Sequence, residues 1–187
     1  MLTYDFSDFP ILETERLILR RLRDSDVKEV FELRSDPETM KYIPRPLAKN
    51  HEDALNHIAI INKAIDKNEG INWAVTMKGD DTLIGIMGFY RTKFEHYRSE
   101  IGYMIHPTHN GKGFVSEALR RLVAYGFSDM GLHSIEAVID PDNIGSERVL
   151  QKNGFVKEAH FRESEFYEGK FLDAVYYSIL NTSDSVK

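Results

Sequence analysis

The chain contains no cysteine, and its apolar runs are short. The absence of cysteine excludes disulfides, thiolate ligands for metals and a covalent cysteine intermediate, and it agrees with a reducing compartment. No run approaches the roughly 20 apolar residues that a membrane-spanning helix needs. The N-terminal residues also lack the positive and apolar regions of a signal peptide. We therefore expect a cytoplasmic protein with no membrane partner.

The chain has fewer basic than acidic residues: 24 Lys and Arg against 30 Asp and Glu, which gives a formal net charge of −6. A nucleic-acid partner is not expected, since that function calls for clustered positive charge. Judged by net charge alone, a basic protein tail or a cationic small amine would suit the chain better. The length of 187 residues, 42% of them hydrophobic, predicts a single domain over 1–187 with its core at about 11–180.

Hydrophobic periodicity predicts the order of the secondary-structure elements. Strands are expected within 11–23 and at 73–77, 83–90, 100–106, 134–139, 155–166 and 171–180, and helices after 24–26, at 51–67, from about 114 and at 143–153. The three successive strands between 73 and 106 indicate an antiparallel meander, and the helix after them indicates a crossover to the next strand. The sequence therefore predicts a mixed α/β sheet rather than a doubly wound parallel one.

One strand–loop–helix transition carries a chemical signal. A strand ends at His106-Pro107, the loop Asn110-Gly111-Lys112-Gly113 follows, and a helix begins at about Phe114. The glycines allow backbone N–H groups to turn toward an anion, and the helix N-terminus adds partial positive charge. The loop is therefore typical of a diphosphate-binding site. It lacks the Gly-Lys-Ser/Thr ending of a Walker loop, and a dinucleotide fingerprint needs a parallel sheet. A plain strand-to-helix turn remains the alternative.

The motifs along the chain together resemble those of the GCN5-related N-acetyltransferase (GNAT) family, within it the RimJ/RimL-like branch that acetylates the N-termini of ribosomal proteins. Residues 14–20 (Thr-Glu-Arg-Leu-Ile-Leu-Arg) look like the family's first strand, and residues 100–103 (Glu-Ile-Gly-Tyr) look like its fourth. Residues 143–146 (Asn-Ile-Gly-Ser) and 152–155 (Lys-Asn-Gly-Phe) resemble a later cofactor segment. One departure is Thr108, where the family prefers Gln or Arg. The resemblance rests on the collinear order of all these pieces.

The resemblance implies both a fold and a co-substrate. The expected fold is a mostly antiparallel central sheet flanked by helices, in which the family's fourth strand splays from its fifth. The expected co-substrate is acetyl-CoA, with its pantetheine arm in that gap and no metal. The implied cofactor-binding residues are Met104, Ile105, Asn110, Gly111, Lys112, Gly113, Phe114, Ser116, Asn143, Ser146 and Lys152.

The resemblance also implies two catalytic residues, Glu100 and Ser146. Glu100 is the expected general base, acting through water, and Glu163 is a second carboxylate that could orient the amine or be the base instead. Many family members protonate the leaving thiolate with a Tyr after the fifth strand. This chain has no Tyr between residues 143 and 154 but has Ser146, as the ribosomal branch does, so the resemblance implies Ser146 as the proton donor or hydrogen-bond partner of the thiol sulfur. Structural alternatives are an ion pair of Glu100 with Arg98 or Lys93, and capping of a helix by Asn143.

The pKa values of amines narrow the choice of acceptor. At pH 7 roughly a tenth of an α-amine is neutral, against about 0.04% of a lysine, so a weak base acting through water favours a protein N-terminal α-amine. The alternatives are a polyamine, an aminoglycoside or an amino-acid derivative, or a module that binds acyl-CoA without catalysis. In this family the first helices and the loop 40–49 usually set acceptor choice. The chain is expected to be a monomer or homodimer, and its histidines lack the spacing of a metal site.

Overall fold

The computed structural model describes residues 2–182, which contain eight strands and five α-helices. The strands are β1 (Leu12–Glu13), β2 (Leu17–Arg20), β3 (Ile71–Met77), β4 (Asp80–Lys93), β5 (Arg98–Ile105), β6 (Ser134–Ile139), β7 (Val156–Tyr167) and β8 (Lys170–Leu180), and the helices are α1 (Val27–Ser35), α2 (Pro37–Met40), α3 (His51–Asp66), α4 (Phe114–Ser128) and α5 (Ile144–Lys152). Of the helices in this part of the chain, none has the length and apolar composition that crossing a membrane requires.

The strands form one sheet in the order β1-β2-β3-β4-β5-β6-β8-β7. Within residues 2–182 every neighbouring pair is antiparallel except β5 and β6, which run parallel. Helix α4 joins these two strands, because parallel neighbours need a crossover connection. The prediction of a mixed, mostly antiparallel sheet is confirmed.

The core lies between the sheet and α4 on one face. Helix α4 contributes Ala118, Leu119 and Leu122, all fully buried, and the ring of Tyr125 meets that of Trp73 edge-on, with 5.5 Å between their centroids. Trp73 is itself fully buried on β3. This arrangement follows from the apolar stripe of α4, which recurs at helical spacing. It packs the middle and the C-terminal half of α4 against the sheet.

The first strand differs from its prediction. The sequence predicts one strand within 11–23, but the structure divides it into β1 and β2, which pair as a hairpin. The turn forms because Thr14 and Leu17 exchange hydrogen bonds: the Thr14 N–H donates to the Leu17 carbonyl at 3.0 Å, and the Leu17 N–H donates to Thr14 Oγ1 at 2.9 Å. The family's fourth and fifth strands are therefore β5 and β6 in this protein.

Candidate active site

A gap opens in the middle of the sheet between β5 and β6. The two strands pair only over Arg98–Glu100 of β5 and Ser134–Glu136 of β6. Beyond Glu100, β5 continues to Ile105 and β6 to Ile139 without pairing to each other. The facing backbone groups are thus free to hydrogen-bond an extended ligand that carries its own amides. This confirms the expected splay between the two strands.

The glycine loop lies at the end of β5 and presents the start of α4. Gly111 and Gly113 adopt positive φ angles of 73° and 82°, which favour glycine. No described side chain caps α4, whereas Asn50 caps α3 and Asn143 caps α5. The first N–H groups of α4 therefore lack side-chain partners and are available to diphosphate oxygens. On this observation the loop fits the diphosphate of coenzyme A.

A tether holds this loop from the far edge of the sheet. The Glu117 carboxylate accepts hydrogen bonds from Thr14 Oγ1 at 2.6 Å, from the Arg16 backbone N–H at 2.9 Å and from Arg16 Nε at 2.7 Å. Arg16 Nη1 donates to the Lys112 carbonyl at 3.2 Å, and its guanidinium lies over the Phe114 ring, 4.5 Å from the centroid. The β1–β2 hairpin thus fixes one carbonyl of the loop. The sequence analysis missed this tether, which joins residues 101 positions apart.

The other predicted cofactor residues occupy different positions around the gap. Met104 lies half-buried on β5 and lines the cavity, and Ile105 follows it at the end of the strand. The Ser116 hydroxyl is buried and accepts a hydrogen bond from Asn153 Nδ2 at 2.8 Å, so it faces the end of α5. Lys152 is exposed in the last turn of α5. The role of each in binding stays a prediction.

Glu100 is a buried carboxylate, 5% exposed, at the point where β5 and β6 part. The Tyr90 hydroxyl donates to its Oε1 at 2.9 Å, and Arg91 Nη1 donates to its Oε2 at 3.0 Å. Burial, and then the charge of Glu100, raise the pKa of Tyr90, which keeps its hydroxyl protonated as a donor. The Glu100 carboxylate is therefore held by Tyr90 and Arg91 at the mouth of the gap.

The partners of Glu100 differ from the predicted structural alternative. Arg98 and Lys93 bind Glu136 instead, at 2.8 Å and 3.1 Å. Glu136 is the residue of β6 that lies next to Glu100 in the parallel register. Glu136 thus pairs with both cations, and the partners of Glu100 are Tyr90 and Arg91.

Gly102 allows Tyr90 to reach Glu100. A Cβ atom at Gly102 would lie 2.7 Å from both Cε1 and the hydroxyl oxygen of Tyr90. Separations below about 3.0 Å are not tolerated, so any larger residue at this position would displace the ring. The packing of the Tyr90 ring therefore requires glycine at this position of the Glu-Ile-Gly-Tyr motif.

On the other side of the gap, Asn143 and Ser146 begin α5. Asn143 Oδ1 accepts the Ser146 backbone N–H at 3.0 Å, so the capping alternative is realised in the structure. Both residues also line the cavity. The Tyr103 hydroxyl donates to the Ser146 carbonyl at 3.5 Å, and burial raises the pKa of Tyr103 to about 12. The two predicted residues are thus brought to the gap, and Tyr103 joins them from β5.

The gap opens into a cavity of about 1050 Å³ on the face of Tyr90 and Glu100. Its outer walls are formed by the loop between α2 and α3, by α1 and α3, and by the turn between β7 and β8. Glu163 does not line it: it lies in the bulge of β7 with a φ of 51°, and its N–H donates to Asp173. Glu165 lines the cavity in its place, and the sequence analysis did not single it out.

The histidines beside the glycine loop make contacts of their own. His106 Nδ1 hydrogen-bonds with Thr108 Oγ1 at 2.8 Å, and the His106 and His109 rings lie 6.4 Å apart. Thr108, the position that departs from the family pattern, is thus turned to His106. Within residues 2–182, no three His, Asp or Glu side chains are grouped to hold a metal ion.

The chain is similar to known acetyltransferases over most of its length. Residues 16–156 match the family model described as Acetyltransferase (GNAT) domain. The uncharacterised N-acetyltransferase YoaA of Bacillus subtilis (strain 168) is 39% identical over 172 residues, which cover 92% of this chain and 97% of that protein. A solved GNAT-family acetyltransferase from Bacillus anthracis is 33% identical with a TM-score of 0.82, and the alignment covers 91% of this chain and 98% of that one.

Two further relatives have names that state an acceptor. The spermidine N(1)-acetyltransferase of Vibrio cholerae serotype O1 is 26% identical over 167 residues, which cover 89% of this chain and 94% of that protein. The ribosomal-protein-serine acetyltransferase of Escherichia coli (strain K12) is 30% identical over 99 residues, which cover 53% of this chain and 55% of that protein. The similarity therefore includes proteins with two different kinds of amine acceptor.

Proposed function

The chain belongs to the GNAT acetyltransferase family and is an acetyl-CoA-dependent N-acetyltransferase, and we propose that it acetylates the α-amine at the N-terminus of a protein. The observation that carries the proposal is the state of Glu100. Both of its oxygens already accept hydrogen bonds, one of them from a guanidinium. A carboxylate with these partners suits an acceptor that needs little help to lose its proton.

Amine pKa values separate the candidate acceptors. An α-amine titrates near 7.7–8.0, so roughly a tenth is neutral at pH 7, whereas about 0.04% of a lysine amine is neutral. A lysine amine would therefore have to lose its proton before it could attack in almost every encounter. Glu100 therefore orients the α-amine, directly or through water, and passes its proton to solvent after attack.

The walls of the cavity also support a protein acceptor. The cavity measures about 1050 Å³, and its lining includes Met104, Asn143 and Ser146, beside which the arm of the co-substrate would lie. Its walls come from separate loops, among them the turn between β7 and β8. The remaining space suits the first residues of an extended peptide.

The residues of the chain then have distinct tasks. Acetyl-CoA supplies the thioester carbonyl that the amine attacks. The N–H groups at the start of α4 hold the diphosphate, and the free edge of β5 pairs with the pantetheine amides near Met104 and Ile105. A backbone N–H of that edge stabilises the negative charge that develops on the carbonyl oxygen. The Ser146 hydroxyl passes a proton to the departing thiolate and regains one from water, so that the thiol leaves neutral, and Tyr103 fixes the backbone of Ser146.

An acceptor screen tests the proposal. The wild-type protein is mixed with acetyl-CoA and, in turn, with a peptide that has a free N-terminus, the same peptide with a blocked N-terminus and one internal lysine, and spermidine, and thiol release is measured. We expect kcat/KM for the free N-terminus to exceed that for the blocked peptide by at least about tenfold, following the difference in neutral amine. Equal values for the two peptides, or turnover of spermidine alone, would contradict the proposal.

A further inference from the structure

Arg34 is a half-buried arginine in the last turn of α1 that lines the cavity. Its Nη1 lies 3.6 Å from Met40 Sδ, and its Nη2 donates to the Pro46 carbonyl at 3.4 Å. Both partners are neutral, and among residues 2–182 no carboxylate forms an ion pair with Arg34. A cation partly removed from water without a counter-ion is costly. It is a group that an anionic ligand would stabilise.

A second arginine strengthens the positive charge at this wall. Arg45 is exposed on the loop between α2 and α3 and lines the same cavity. Burial, and then the charge of Arg45, lower the pKa of Arg34. Burial and the charge of Arg34 lower the pKa of the neighbouring His57 to about 4, so His57 is neutral at pH 7. The two arginines therefore lie close enough to repel each other.

Within residues 2–182, no carboxylate that lines the cavity forms an ion pair with Arg34 or Arg45. Glu100 is held by Arg91, Asp173 by His160 at 2.7 Å, and Asp140 accepts the Asp142 N–H at 2.8 Å. Glu165, near the end of β7, and Glu168, in the turn after it, also line the cavity, and neither forms an ion pair with Arg34 or Arg45. Arg34 and Arg45 therefore stand at this wall without a carboxylate partner in the part of the chain that the structure describes, although the whole chain is acidic.

We propose that Arg34 and Arg45 form a subsite for a carboxylate of the acceptor, so that the preferred substrate is an N-terminal peptide with Asp or Glu among its first residues. This inference rests on the proposed function, since it places the carboxylate beside an α-amine at Glu100. It opposes the expectation from net charge, which favoured a basic acceptor. It also disfavours a polyamine, because a second ammonium group would face two like charges.

The test compares matched peptides in the wild-type protein. The first pair is Ser-Glu-Glu-Ala-amide and Ser-Gln-Gln-Ala-amide, which differ in side-chain charge. The second pair is Ser-Ala-Ala with a free or an amidated C-terminus, which shows whether a main-chain carboxylate serves as well. We expect kcat/KM to be roughly tenfold higher for the Glu peptide, the effect of one charged hydrogen bond, and the advantage to shrink as salt is raised.

The variants Arg34→Gln and Arg45→Gln link the preference to the subsite. Each should reduce the Glu-over-Gln ratio toward one, through KM for the peptide, while KM for acetyl-CoA stays unchanged. Because Arg45 is exposed, its variant reports even if Arg34→Gln fails to fold. Arg120→Gln is the matched control, since Arg120 is exposed on α4 and does not line the cavity. Its ratio should equal that of the wild type.

The outcomes separate the inference from the function beneath it. Equal kcat/KM for the Glu and Gln peptides overturns the subsite and leaves N-terminal acetylation intact. A ratio that survives in both arginine variants also overturns it. A raised KM for acetyl-CoA in either variant assigns the arginines to the co-substrate instead and overturns it as well. Turnover of spermidine with no turnover of any peptide overturns both proposals.

Discussion

Glu117 and Arg16 connect the β1–β2 hairpin to the first turn of α4, with Arg16 Nε and Nη2 each 2.7 Å from Glu117 Oε2. The pair joins the outer edge of the sheet to the helix that follows the glycine loop. The Arg16 side chain is also held at a second point, because its Nη1 donates a hydrogen bond to the Lys112 carbonyl. The orientation of the glycine loop therefore depends on a contact outside the loop.

Replacing Glu117 with Gln should weaken acetyl-CoA binding more than it slows the chemical step. The amide keeps the shape of the side chain but loses the charge that holds Arg16, so the loop gains freedom. We expect KM for acetyl-CoA to rise roughly tenfold, as for one charge-assisted hydrogen bond, with kcat changed less. Steady-state kinetics with varied acetyl-CoA measure this. Glu32→Gln, an exposed change on α1, is the control. An unchanged KM would show that the tether does not position the loop.

The stability that the Arg16–Glu117 pair contributes depends on pH, and the pKa of Glu117 sets the direction of the dependence. Burial alone would raise the pKa of Glu117, but the hydrogen bonds from Thr14 and Arg16 lower it overall. A lowered pKa in the folded state gives stability that is present above the unfolded value of about 4.3 and is lost as the pH falls through the folded value. The Tm difference between wild type and Glu117→Gln should therefore be present at pH 7 and shrink on acidification below about pH 4. Thermal melts across this range measure it, and a constant difference would contradict the assignment.

Local features of the site were predictable from the sequence, and the tether was not. The glycine loop, its strand and its helix are contiguous, so their pattern of glycines and apolar residues is read directly. The contact between Arg16 and Glu117 spans 101 positions and depends on the hairpin that replaces the single predicted strand. Nothing in the spacing of either residue indicates the other.

The partners of Glu100 show the same limit at a finer scale. Arg98 precedes Glu100 by two residues and so lies on the same face of β5, which made it a reasonable partner. In the structure Arg98 forms an ion pair with Glu136 instead, because the parallel register places Glu136 beside Glu100. The charged partner that Glu100 does have, Arg91, lies within the register shift near the end of β4, with a φ of 51°. Irregular backbone of this kind is not encoded by periodicity.

The variant Gly102→Ala should lower kcat without unfolding the protein. The new Cβ would collide with the end of the Tyr90 side chain rather than with backbone, so the ring can move aside and leave Glu100 without its hydroxyl donor. We expect a loss in kcat of roughly tenfold, from one misplaced hydrogen bond, with a small change in Tm. Tyr90→Phe is the matched variant, since it removes the same donor with no collision. Wild-type kcat in both would remove Tyr90 from the mechanism.

Asn143→Asp should separate the two roles of Asn143. Asp caps a helix as well as Asn, so α5 and the Tm should be preserved, whereas Asn143→Ala should cost about 1 kcal/mol of stability. Asp lacks the amide donor and adds negative charge near the co-substrate. If Asn143 also binds the pantetheine amides, the Kd for coenzyme A, measured by calorimetry, should rise in Asn143→Asp. An unchanged Kd would leave Asn143 with the cap alone.

The most direct test of the account uses one peptide that carries both a free α-amine and an internal lysine. The peptide is incubated with acetyl-CoA and the wild-type protein or Glu100→Gln, and tandem mass spectrometry locates the acetyl group. We expect acetylation of the α-amine by the wild type, and the same product at least about tenfold more slowly in Glu100→Gln. Acetylation of the lysine in preference to the α-amine, or an undiminished rate in Glu100→Gln, would contradict it.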